Sequence, residues 1–393
     1  MKRSALLLGG LLLAAASTAN AQLTMQMSNG WTFSFAGNVN IFAQYQSQED
    51  GGTTGSPGTL TGVGGQGFYY GTGLLPAFAT FEAKGKEGNT DLGVHFGFAP
   101  EVQCGGGIHD CFGAQIDMRQ VFLTVGGTWG QILAGKELGL FARGNILADQ
   151  TLFGVGGGGI APAGTTLGRI GYGYPYANFV GQITYSTVSG RPTQLSIGLM
   201  DPSALDGNYT QTDVPRLEGE FTWKGKNVNL FLNGTVQNAK DPVADQSKTA
   251  TGVGAGLTFK SANGKFSLTG TGYWGKGIGT TLMFSGVGPA LGGLGVGADG
   301  ELRDSYGGFA QATIGLGEKN TLAASYGSSF LKSTDGEPDF KTENSLISGG
   351  LYHQATKSLK IVVEGNYMWS DDHENTVEKN KAFTGAFGFM LFY

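Results

Sequence analysis

The chain has 393 residues, of which 71 are glycine and 11 proline; 11 % are aromatic, 14 % are charged, and the net charge is −5. So few charges, against roughly 25 % in soluble domains, argue against a soluble globule; the aromatic share excludes disorder, and the lack of a Gly-X-Y period with scarce proline excludes collagen. The acidic balance, with no basic patch interleaved with aromatics, leaves no nucleic-acid-binding role.

The chain begins with Lys2 and Arg3, an apolar stretch from Ala5 to Ala16 and the small-x-small tripeptide Ala19-Asn20-Ala21. That order predicts a secretion signal over residues 1–21, cleaved to leave a single domain over 22–393. Cleavage removes two bases and no acid, so the mature chain is more acidic still. Beyond it no apolar run approaches the roughly 20 residues of a membrane-spanning helix. The first mature segment instead alternates, with Trp31, Phe33, Phe35, Val39, Ile41 and Tyr45 against Thr32, Ser34, Asn38, Asn40 and Gln44. The pattern recurs at Leu92, Val94, Phe96 and Phe98; at Leu217, Phe221 and Trp223; at Val228, Leu230, Leu232 and Val236; and at Ile361, Val363, Tyr367 and Trp369. Charges on the second face, such as Glu218, Glu220 and Glu364, suit a water-filled lumen, and the apolar face suits lipid.

Connections between these runs alternate in length. Short ones fall at 86–90, 126–130, 188–192, 225–227, 261–265, 317–320 and 355–358, and long ones at 47–75, 100–113, 137–168, 201–213, 238–248, 277–303, 331–341 and 370–379. Eight long and seven short connections predict sixteen strands, in an all-β, transmembrane, antiparallel up-and-down barrel with both termini on the periplasmic side. The third connection is about thirty residues rich in Leu140, Phe141, Ile146, Leu147, Leu152, Phe153 and Val155, and a segment that long and apolar is expected to fold inward rather than extend into water. There it would constrict the pore, with Glu137, Asp149 and Arg143 opposite wall charges. The bases Lys84, Arg119, Lys136, Arg216 and Lys224 are placed on the wall, with Glu82, Asp117, Glu218, Glu220 and Glu364 as counter-charges. Opposed signs across a narrow aqueous pore would set up a transverse field that sorts solutes by charge, dipole and width. The apolar sixth connection, with Leu282, Met283, Phe284, Leu291 and Leu294, is expected to fold inward or pack on a neighbour.

Three local features resemble the trimeric Gram-negative porins of sixteen strands. The chain ends on Phe387, Phe389, Leu391 and Tyr393 at alternating positions; Arg119-Gln120-Val121-Phe122-Leu123 leads through Gly127-Thr128-Trp129-Gly130 to Leu133-Ala134-Gly135-Lys136; and a long third connection follows that hairpin. The usual final Phe is Tyr here, and the enteric loop motif is missing, which points to porins of other proteobacteria. The resemblance implies a passive channel for small hydrophilic solutes and ions in the outer membrane, an inward third loop, a homotrimer whose second loop reaches over its neighbour, contact with lipid and lipopolysaccharide, and a last strand read by the barrel-assembly machinery.

Catalytic and cofactor chemistry finds little support. Gly154-Val155-Gly156-Gly157-Gly158-Gly159 and Gly270-Thr271-Gly272-Tyr273-Trp274-Gly275 match G-x-G-x-x-G, but neither opens a helix after a buried strand. Of four histidines, His95 could face Asp91 across the lumen wall and His373 lies in an acidic loop, yet no nucleophile motif accompanies either. Cys104 and Cys111, in an exported chain, are expected to form a disulfide worth about 2 to 3 kcal/mol; a metal site with His109 and Asp110 matches no paired zinc spacing. The rival functions are a barrel-embedded hydrolase and a non-conducting surface anchor or adhesin.

Overall fold

A computed structural model describes residues 23–49, 66–102, 116–157, 165–282, 294–337, 341–371, 373 and 379–393. In chain order the strands are β1 (Leu23–Gln26), β2 (Thr32–Glu49), β3 (Gln66–Gly71), β4 (Phe78–Glu87), β5 (Thr90–Pro100), β6 (Ile116–Gly127), β7 (Gly130–Leu138), β8 (Phe179–Ser186), β9 (Thr193–Met200), β10 (Arg216–Lys224), β11 (Val228–Asp241), β12 (Gln246–Lys260), β13 (Phe266–Lys276), β14 (Asp304–Leu316), β15 (Asn320–Lys332), β16 (Lys341–Gln354), β17 (Leu359–Asp371) and β18 (Asn380–Phe392). One short helix, α1 (Arg143–Ala148), and 3-10 turns at Gln150–Phe153 and Gly279–Leu282 are the helical elements among the described residues.

Sixteen of the strands, β2 and β4 to β18, close into an antiparallel ring in which each pairs with its sequence neighbours and β18 returns to β2. Closure leaves no backbone edge in lipid, which is the condition for spanning a bilayer with strands. Beyond the β18 register, Gly37 N donates to Tyr393 O and Tyr393 N to Gly37 O, so the last residue completes the seam. Two short strands lie outside the ring: β1 pairs with Thr32–Phe35, and β3 with Phe42–Ser47.

Side-chain alternation assigns the faces. Val39, Ile41 and Tyr45 on β2, Val94 and Phe96 on β5, Leu232 and Val236 on β11, and Val363 and Tyr367 on β17 are exposed, while Asn40, Gln44, His95, Asn233, Glu364 and Asn366 between them are buried. The oily face is outside, which inverts the rule for soluble sheets and suits lipid. Phe387, Phe389 and Leu391 continue the outward row on β18, and the Tyr393 ring lies tilted against Phe35 at 5.2 Å between centroids.

Connection lengths follow the sequence reading with two corrections. The fifth is a tight turn between Asp241 and Gln246, not an eleven-residue loop: Asp241 Oδ1 accepts from Val243 N and Ala244 N, a local hydrogen-bonded turn that carries both strands well beyond the predicted ends. The third runs from 139 to 178, so Glu137 belongs to β7 rather than to the connection. Residues 1–21, the cysteines and Met283, Phe284 and Leu291 lie outside the described residues.

Candidate functional site: the lumen and its third connection

Helix α1 has six residues and no side-chain cap, and its N-cap Ala142 sits at φ 64°, so intrinsic propensity does not hold it. Its anchors are wall side chains. Glu218 Oε2 on β10 accepts from Leu140 N and Phe141 N at 2.7 and 2.9 Å, and Arg143 donates from Nη2 to Glu220 Oε1 at 2.5 Å with both side chains under a tenth exposed. Past the helix, Asp149 caps the 3-10 turn by accepting from Thr151 N. Gln311 on β14 accepts from Gln150 N and donates to Ala148 O. Glu364 on β17 accepts from Val155 N and Gly156 N at 3.0 and 2.6 Å, with Tyr352 OH donating to its second oxygen. Gly154 permits that approach, since a Cβ there would overlap the Glu364 carboxylate.

Arg169, a buried cation of the third connection, carries no signal in the motifs of the sequence. Fully buried, it donates to Leu346 O and Ser325 Oγ, lies over the Phe309 ring at 5.6 Å and pairs with Asp149 at 3.7 Å. Tyr174 OH donates to Asp149 Oδ2 at 2.8 Å; burial, then the adjacent carboxylate, push the phenol well above its ordinary pKa, so it stays a donor. Around this pair the connection's Ile146, Leu152, Val155 and Ile170 pack with Phe42, Tyr352, Val362 and Met390 from β2 and β16 to β18. Between β3 and β4, residues 72–77 leave the line of strand: Asn38 and Asn40 side chains hold Pro76 O and Leu75 O, and Leu74 N donates to Gly154 O. The described part of the sixth connection joins as well, Tyr176 N donating to Thr281 O beside the Phe141, Ile278 and Leu282 cluster.

Packing is therefore dense toward β2 and β15 to β18, and open along β9 to β14 and near the short turns of β4 to β9. A cavity of about 200 Å³ near the long connections touches Phe141, Tyr176, Arg216 and Glu218. A second, of about 360 Å³ and nearer the short turns, touches Arg143, Leu147, Glu220, Lys224 and Lys260. The Arg143–Glu220 pair and the Leu140–Phe141 backbone lie between them.

The charges expected to face one another are arranged differently. Arg143 on the connection meets Glu220 on the wall. Asp149 faces no basic wall; it is consumed by Arg169 within its own connection. Glu137, on the wall, accepts from Gln120 Nε2 and Leu138 N. Lys136 shares the outward side of β7 with exposed Ile132 and donates to Met118 O, because adjacent residues of a strand cannot both point inward. Arg119 is the extra residue where β6 shifts register against β5, and it pairs with Asp117 at 2.7 Å beside Phe179. Lys84 pairs with Glu82 and Arg216 with Glu218, each on its own strand. Lys224 lines the larger cavity. His95 stacks on Phe122 at 4.6 Å and lies 3.7 Å from Glu82, whereas Asp91 pairs with Lys86, so the His95–Asp91 couple is not formed.

A family model described as Gram-negative porin matches residues 6–373. The fold is similar to the outer-membrane channel DcaP of Acinetobacter baumannii, at 16 % identity and TM-score 0.68, covering 94 % of this chain and 99 % of that one. It is also similar to an anion-selective porin from Comamonas acidovorans (12 %, 0.64, covering 92 % and 100 %) and to the trimer form of OmpT of Vibrio cholerae (14 %, 0.56, covering 92 % and 99 %). No curated protein matches the sequence. The chain belongs to the Gram-negative porin family: it is a non-enzymatic outer-membrane channel for passive diffusion of solutes.

Proposed function

We propose that the third connection folds into the barrel and divides the lumen, leaving one constricted path for small hydrophilic solutes and ions along the β9 to β14 wall. The observation that carries this reading is the set of hydrogen bonds from residues 140–173 to inward-facing side chains on β10, β14, β15 and β17. A connection on the outer surface would not reach four separate strands of the ring. The narrowest part of the path lies at Arg143, Glu218 and Glu220, with Arg216 on one side and Lys224 and Lys260 on the other. Glu137 and Asp149 are buried in contacts that support the wall and the connection, Glu82 and Asp117 pair with Lys84 and Arg119, and Lys84 lines a further cavity near the short turns.

The family and the outward apolar rows support a homotrimer in contact with lipid and lipopolysaccharide, assembled through recognition of the Phe387, Phe389, Leu391 and Tyr393 strand after removal of residues 1–21. Planar-bilayer recording of the purified protein tests the reading. Stepwise openings in groups of three are expected; a folded protein that remains silent would favour the surface anchor and overturn it.

A further inference from the structure

At the end of the barrel that carries the long connections, Glu343 on β16 lies directly opposite Asp371 on β17. They top an outward-facing row, since the next pairs down are Ser345 with Trp369 and Ile347 with Tyr367, and Ile347 and Tyr367 are exposed. Two carboxylates directly opposite in an antiparallel pair repel one another, and a cation between them would relieve that repulsion. His373 brings an imidazole to the same point. Its Nε2 is 2.9 Å from Glu343 Oε2 and its Nδ1 is 3.8 Å from Asp371 Oδ2, and one ligand atom from each of the three residues falls within 4.8 Å of the others.

The supporting contacts turn those atoms toward one another. Ser345 Oγ donates to Glu343 Oε1 and turns Oε2 toward His373; His373 N donates to Asp371 Oδ1 and leaves Oδ2. Such outer hydrogen bonds are what orient ligands in metal sites. Lys379 Nζ, 2.8 Å from Asp371 Oδ2 and half exposed, is the present counter-charge, held by a flexible stem that can swing into water. One imidazole with two carboxylates suits a borderline cation such as Zn²⁺ or Cu²⁺ better than Ca²⁺ or Mg²⁺, which take oxygen alone.

We propose that Glu343, Asp371 and His373 form a divalent transition-metal site on the outer rim of the barrel, with Lys379 as the cation that the metal displaces. Three protein ligands leave a fourth tetrahedral position for water or an external anion. The site faces away from the lumen, so it stands or falls separately from the solute path.

Trp369 lies two residues before Asp371 on the same face, which provides a local reporter. The folded mature protein, stripped by chelator and free of any histidine tag, is titrated with CuCl₂ while tryptophan emission is followed, and with ZnCl₂ by calorimetry. One saturable site is expected, with quenching lost in Trp369→Phe while the Zn²⁺ heat remains. His373→Asn and Glu343→Gln should each weaken binding at least about tenfold, and Lys379→Met should tighten it, because the competing ammonium is gone. Heat-modifiable migration confirms folding of each variant. No binding up to millimolar metal, unchanged affinity in folded His373→Asn, or a Lys379→Met protein that binds no tighter would each overturn the proposal.

Discussion

Removing Arg143 and removing Glu220 should move ion preference in opposite directions. The pair sits between the two lumenal cavities, 2.5 Å apart, and Glu218 lies beside it already engaged by the Leu140 and Phe141 amides and by Arg216. Arg143→Ala leaves a carboxylate uncompensated beside the path, and Glu220→Gln leaves a guanidinium. An ion passing about 5 Å from that charge, at an effective dielectric constant of about 40, feels about 1 to 2 kcal/mol. K⁺ and Cl⁻ feel it with opposite signs, so their difference is about 2 to 4 kcal/mol, and since 1.4 kcal/mol is a factor of ten the permeability ratio of K⁺ to Cl⁻ should rise by about tenfold or more in Arg143→Ala and fall comparably in Glu220→Gln. At 0.1 M salt the Debye length is about 10 Å and more than half of the effect remains; at 1 M, with about 3 Å, most of it disappears. Breaking one side of a buried pair also costs about 3 to 5 kcal/mol locally, so conductance noise should increase in both variants while the strand ladder keeps the barrel folded. The assay is the reversal potential across KCl gradients at both ionic strengths. Shifts of the same sign in the two variants, or none at low salt, would refute the placement of this pair on the conduction path.

Lysine on the outward rows should block assembly: Leu232→Lys and Val363→Lys each place a charge in lipid at a cost of about 2 to 4 kcal/mol near the midplane, and heat-modifiable protein in the outer membrane should fall, whereas Asn233→Lys, inward, should assemble normally. Asp149→Asn leaves Arg169 buried without its carboxylate, so the third connection should become cleavable by added protease while the barrel stays resistant; full resistance would mean that the pair does not hold the connection. In the loops, burial raises Glu337, but hydrogen bonds from Ala298 N and Thr334 and the Arg303 guanidinium outweigh it, and the Glu301 amide with Thr334 and Gly336 lowers Asp299, so both carboxyls titrate below their ordinary range. Groups depressed in the folded state contribute stability above the unfolded pKa and lose it as pH falls through the folded one. Hydrogen exchange of residues 294–303 and 333–337, corrected for intrinsic rates, should therefore be flat from pH 7 to 5 and accelerate below about pH 4; an acceleration near neutrality would contradict the sign.

Much of the barrel was legible because a strand in lipid has only one way to satisfy both faces: apolar residues at one parity and polar residues at the other, as in Val363 and Tyr367 against Glu364 and Asn366. The short turns were legible for a similar reason, since Gly, Asn and Ser clusters mark them locally. The fifth connection was misjudged because polar residues from Asn238 to Lys248 serve equally in an exposed loop and in strand ends above the membrane, and composition does not separate the two. The lumen was harder. Its pairs form between residues 77 positions apart, as in Arg143 and Glu220, or inside an irregular segment, as in Asp149 and Arg169, and no periodicity relates them. A basic residue directly after Gly168 in an apolar, glycine-rich connection was the one available signal for Arg169, since a charge there must find a buried partner. Lys136 could have been placed correctly from parity alone, because Ile132 and Ala134 fix the outward side of its strand.

The central claim is that the third connection occupies the lumen and leaves a single narrow path. The most direct measurement is single-channel conductance of a variant in which residues 140–174 are replaced by a short Gly-Ser linker, recorded beside the native protein and paired with liposome swelling in sugars of increasing size. A folded, heat-modifiable variant should conduct several times more than the native channel and admit sugars that the native channel excludes. A folded variant with native conductance and the native size limit would contradict the claim, because the connection would then lie outside the path.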